Sequence, residues 1–119
     1  MATYKNLFID QGSDFSFEIK LNDTTSGITD LTNYSARGQI RKSYTSSSSV
    51  SFDITIDIEN NRLIASLTAE QTSLLGMPQR VYATGRYVYD IEVFTSDSPS
   101  IVTRVTEGQV DITPRVTSV

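Results

Sequence analysis

Residues 52–58 alternate without exception: Phe52, Ile54, Ile56 and Ile58 are apolar, while Asp53, Thr55 and Asp57 are polar. A side-chain period of two belongs to the strand and not to the helix, so a chain ruled by it must build sheets. Phe15, Phe17, Ile19 and Leu21 repeat the pattern, with Ser16, Glu18 and Lys20 on the other face. After Asn60-Asn61, Leu63, Ala65 and Leu67 share a face. Asn tolerates the left-handed backbone of tight turns, which predicts a hairpin joining these segments.

Further strands are predicted over 87–94 and 101–105, joined by Thr95-Ser96-Asp97-Ser98-Pro99. Gly108 is expected to interrupt before Val110 and Ile112, and Pro114 to end the run. Weaker strands are read at 6–10 and at 35–41, where Ala36, Gly38 and Ile40 face inward. Asn22-Asp23-Thr24-Thr25-Ser26-Gly27 is a turn-rich break. This spacing predicts an all-β, antiparallel sandwich of about seven to eight strands.

One segment leaves the rhythm. Thr68-Ala69-Glu70-Gln71 has the form of a capping box, in which a Thr side chain and a Gln three residues later satisfy each other's free amides. A short helix is predicted near residues 68–75, plugging the open end of the sandwich with Leu74 and Leu75. Residues 43–51, with four consecutive serines, and residues 76–85 read as loops. Residues 1–119 are expected to form a single domain without internal repeats.

Composition narrows the chemistry. The 119 residues contain neither Cys nor His, which excludes disulfides, Cys/His zinc sites and the commonest general base. Ten Lys and Arg are scattered along a chain of net charge −4, so nucleic acid is not an expected partner. No apolar run approaches the roughly 20 residues that span a bilayer, and the first residues lack a signal-peptide core.

The remaining candidates are weighed against plainer roles. Asp53 with Asp57, and Asp90 with Glu92, are paired carboxylates of the kind that bind calcium or cleave glycosides. The plainer reading is a solvated sheet face pairing with Arg37, Arg41 or Lys20. Lys42 and Ser43 could form a base and nucleophile, but they lie where a strand runs into a serine tract. Gly12 and Gly108 read as turn or bulge positions. Tyr87 and Tyr89 are expected in the core with their hydroxyls at the rim. Tyr44, Met77, Val81 and Tyr82, all in loops, are the candidate protein-interface residues. No catalytic residue, cofactor or metal is expected.

Several motifs, in order, resemble a known family. Gln11-Gly12-Ser13-Asp14-Phe15 is similar to a Gly-Asp-Thr-Phe strand start, and Asp30-Leu31-Thr32-Asn33-Tyr34 to an Asp-Leu-Thr-Gly-Tyr segment running to Gln39-Ile40-Arg41. Leu67-Thr68-Ala69-Glu70-Gln71-Thr72 resembles a Leu-Ser-x-x-Gln-Thr helix, and Tyr87-Val88-Tyr89-Asp90-Ile91 a Tyr-x-Tyr-Asp strand. Gly108-Gln109-Val110-Asp111-Ile112-Thr113-Pro114-Arg115-Val116-Thr117 is similar to a closing Gly-x-Val-x-Val-x-Pro-x-Val-Thr. The family comprises immunoglobulin-like β-sandwiches of bacteriophage virions, including amino-terminal domains of upper baseplate and fibre-adaptor proteins. The resemblance implies a non-catalytic tail or baseplate component in the virion, repeated in a symmetric assembly and docked on other virion proteins. A capsid decoration protein gripping the major capsid protein is the alternative, and a carbohydrate-binding module a further one. The chain departs from the family in the inserted residues 77–84 and the long serine tract.

Overall fold

Alternation decides the layers. The computed structural model describes residues 3–24, 27–42, 49–75, 85–96 and 101–113. These form β1 (Thr3–Tyr4), β2 (Leu7–Asp10), β3 (Phe15–Lys20), β4 (Tyr34–Arg41), β5 (Ser49–Ser51), β6 (Asp53–Asp57) and β7 (Arg62–Leu67). After helix α1 (Ala69–Leu74) come β8 (Gly85–Thr95) and β9 (Val102–Thr113). The larger sheet runs β1–β9–β8–β4–β5, with β2 also on β9, and the smaller runs β3–β7–β6. Their inner faces share one core, so the fold is an all-β sandwich.

Between the sheets, the half-buried Phe17 of one meets Tyr89 of the other edge-on, with ring centroids 6.0 Å apart. Phe52 touches both rings. Such aromatic contacts add about 0.5–1.5 kcal/mol each beyond the area they bury. Tyr87 and Tyr89 are buried, as expected from their alternation with Val88 and Asp90.

Among the described residues nine strands stand where about seven to eight were expected. Two of them are breaks in longer strands. β1 and β2 keep one register against β9, with Thr3 opposite Thr106 and Leu7 opposite Val110. β5 and β6 are halves of a strand that changes sheets at Phe52, whose amide donates to the Gly38 carbonyl at 3.0 Å. The alternation foreseen over 52–58 holds from Phe52 to Ile56, and Ile58 falls in the turn after β6, 53% exposed. Ala36, Gly38 and Ile40 face inward as expected. Leu21 is buried but belongs to a 3₁₀ turn (Leu21–Asp23) and not to the strand before it.

The sheets are not wholly antiparallel. β1 and β2 lie parallel to β9, because β2 leads across into the other sheet and never folds back as a hairpin. Periodicity carries no sign of strand direction. Gly108 does not interrupt the last strand either; β9 passes through it, and the register shift lies between Ile91 and Glu92 of β8. Gly12 does sit in a turn.

Gly108 has another task. A Cβ there would lie 2.1 Å from the Lys5 carbonyl oxygen and 3.3 Å from the Tyr89 ring. That carbonyl turns inward to accept the Tyr89 hydroxyl at 2.6 Å, while the Lys5 amide donates to the Glu107 carbonyl. Gly108→Ala should therefore push the first strand off the sheet. The expected cost is about 3 kcal/mol, at the upper end for overpacking, read as a lowered urea midpoint. An unchanged midpoint would show that the first strand is not anchored here.

Candidate functional site

The capping box forms as the sequence indicates. Thr68 accepts from the Gln71 amide at 3.2 Å, and Gln71 Oε1 accepts from the Thr68 amide at 2.9 Å. Leu75 is 1% exposed and plugs the sandwich, but Leu74 is 64% exposed. A helix this short buries one stripe, and residues 72 and 75, three apart, occupy it. Leu74 points the other way.

The helix is tied to the turn before β3. Asp14 Oδ1 accepts from the Ala69 amide at 2.7 Å. The buried Thr72 hydroxyl donates to the Ser13 carbonyl at 2.8 Å and accepts the Gly12 amide at 3.0 Å. Gln11 Nε2 donates to the Leu75 carbonyl at 2.9 Å. Sequence reading found the two segments but not their contact, because hydroxyl and amide pairings over sixty residues leave no periodic trace. Thr72→Val, nearly isosteric, leaves the Gly12 amide without this partner. A loss of about 2 kcal/mol is expected in chemical denaturation, against a negligible change for Thr32→Val on the exposed turn.

The candidate carboxylates lie on the outer sheet faces. Arg62 bridges Asp57 (2.7 Å) and Glu18 across the smaller sheet. Arg37 pairs with Glu92, its guanidinium 4.5 Å above the Phe94 ring. Arg104 reaches Asp90 at 3.4 Å and Glu107 at 3.7 Å. Lys20 stands 3.7 Å from Glu18, Arg41 bonds to Gln39, and Asp53 lies opposite Ser66. The expected ladder is thus present, with Arg62 and Arg104 carrying links assigned in the sequence reading to other cations. A shallow depression of about 430 Å³ lies over this face, lined in part by Arg37, Gln39, Arg41, Asp90 and Glu92. Among the described residues no group of three or more Asp or Glu is placed to hold a metal ion.

Two carboxyls titrate in opposite senses. Hydrogen bonds from the Asn60 side chain, then from Arg62, hold Asp57 below its ordinary value. Burial raises Asp90, with Glu92 and Glu107 adding to the rise and Arg104 and Arg41 opposing it. A depressed carboxyl stabilises the fold above its unfolded value, and that stability is lost as pH falls through the folded one. A raised carboxyl does the reverse. Asp57→Asn should flatten the acid-side fall in thermal midpoint, whereas Asp90→Asn should steepen it. Matching acid profiles for both variants would contradict this assignment.

Of the other sequence candidates, Lys42 is exposed at the end of β4. Ser43 and the four interface candidates Tyr44, Met77, Val81 and Tyr82 lie outside the described residues, as do most of the two loops that carry them. The structure does bring forward two aromatics that the sequence reading passed over. Tyr4 and Phe8 are 61% and 72% exposed on the outer edge of the larger sheet. Their neighbours Leu7 and Ile9 made the segment look uniformly apolar and hid which side faced water.

Comparisons with known proteins give no family. No family model and no curated protein matches the chain. Among solved structures, an internalin-like protein of Listeria monocytogenes matches at 15% identity and a TM-score of 0.39. The match covers 96% of this chain and 28% of that one. A nucleoside hydrolase-related hypothetical protein from Saccharophagus degradans matches at 17% identity and a TM-score of 0.34, covering 96% and 22%. The chain thus spans less than a third of either.

Proposed function

We propose that this chain is a non-catalytic, immunoglobulin-like domain of a bacteriophage virion, docking to other tail or baseplate proteins. The observation that supports this reading is the contact between the motifs that carry the resemblance. The strand start Gln11-Gly12-Ser13-Asp14 and the helix segment from Thr68 to Leu75 are joined by hydrogen bonds through Asp14, Ser13, Gly12 and Gln11. Tyr89 of the Tyr-x-Tyr-Asp strand and Gly108 of the closing motif meet at the Lys5 carbonyl. Asn33 takes φ 70° where the family segment carries Gly, the backbone that only such residues adopt readily.

Docking needs no reactive groups, and the carboxylates Asp57, Asp90 and Glu92 are engaged by arginines. Copies arranged by the symmetry of the particle would multiply weak contacts into a firm assembly. The shallow polar depression over Arg37, Gln39, Arg41, Asp90 and Glu92 favours a second reading, a carbohydrate-binding module, whose hydroxyl-rich ligand such side chains suit.

Peptide mass spectrometry on purified particles, with heads and tails separated before digestion, tests the first reading. Enrichment with tails is expected. Enrichment with heads would replace it with a capsid decoration role, and absence from both would overturn the virion reading. Binding on a glycan array, lost in Arg41→Ala, would favour the carbohydrate module.

A further inference from the structure

The sandwich protects its strand edges unequally. β3 carries Glu18 and Lys20, β6 carries Asp53 and Asp57, and β5 is three residues long. Charges and short length are the usual devices that stop a stray strand from pairing. The edge formed by β1 and β2 runs over residues 3–10, about 26 Å of strand. Among the described residues no strand pairs with its outer side. Besides the charged Lys5 and Asp10 it presents Tyr4 and Phe8, both mostly exposed and on the same outward face.

The surroundings of those rings are acidic. Glu107, which Arg104 reaches at 3.7 Å, is the cross-strand neighbour of Tyr4, and Asp111 is that of Phe8. Asp10 ends the edge itself and is exposed. On the inward side, a cleft of about 290 Å³ opens between the two sheets, lined by Thr3, Lys5, Glu18, Ile19, Lys20 and others. A strand laid against β1 and Lys5 would roof that cleft with one set of side chains. Its other set would stand beside Tyr4, Phe8 and the acids.

We infer that the β1–β2 edge accepts an extended segment of a partner protein by strand addition, with Lys or Arg at the segment's outward positions. Main-chain hydrogen bonds supply the attachment, and alternate side chains supply the selectivity. A cation at an outward position can lie over the Tyr4 or Phe8 ring and reach Glu107 or Asp10. This rests on the docking reading and names its surface and its partner's chemistry.

The test uses the full chain, isotope-labelled for amide NMR, and two synthetic seven-residue peptides. One alternates Lys and Val and the other Glu and Val. Binding of the Lys peptide should shift the amides of residues 3–10, and the Glu peptide should bind at least about tenfold more weakly. Replacing both exposed rings, Tyr4→Ser with Phe8→Ser, should leave the amide spectrum elsewhere unchanged and weaken the Lys peptide about tenfold. Equal binding of the two peptides, or shifts confined to β3, β5 or β6, would overturn the inference. So would a dimer in sedimentation that Phe8→Lys dissolves, since the occupant would then be a second copy. If the chain is absent from purified particles while the Lys peptide still adds to β2, the virion reading fails and this one stands. The opposite pair of results separates them the other way.

Discussion

The Lys5 carbonyl is the point on which the sandwich depends. It can turn inward only because position 108 has no side chain, and once inward it is held by the Tyr89 hydroxyl. That hydroxyl belongs to a ring packed against Phe17 and Phe52, so the edge of one sheet is tied to the aromatic centre shared by both. A second tether, Thr106 Oγ1 to the Thr3 carbonyl at 3.1 Å, fixes the same strand two residues earlier. The first strand is thus located by a missing side chain and two hydroxyls as well as by its buried Leu7 and Ile9.

What was legible in the sequence follows from what has a period. The alternation of Phe17, Ile19 and of Leu63, Ala65, Leu67 assigned the core faces correctly, and Asn61, at φ 50°, forms the turn between strands as expected. The capping box located the helix because its chemistry is local. Strand direction was hidden, since parallel and antiparallel partners leave the same alternation. The bend at Phe52 was hidden too, because the residue stays apolar and buried while the chain around it changes sheets. Leu74 and Leu75 are chemically equal, and only the geometry of the helix exit separates them.

Function was less legible for a related reason. Carboxylates on strand faces look the same whether they await a substrate or an arginine, and here Arg37, Arg62 and Arg104 stand beside them. An arginine that neutralises two acids also fixes the spacing of the strands that bear them, so these faces are ordered by charge as well as by backbone. The proposed docking role rests on the motif likeness, since sandwiches serve many roles.

The parallel pairing of the first and last strands has a mechanical side. The chain enters at the start of β1 and leaves at the end of β9, at opposite ends of one ladder of hydrogen bonds. A pull on the two chain ends would load those bonds together, in shear, instead of parting them one by one as in a zipper. Resistance to such a pull is set by how fast the ladder ruptures as a unit, not by equilibrium stability. A domain wired in this way can transmit tension between whatever is attached before Thr3 and after Thr113 without first unravelling.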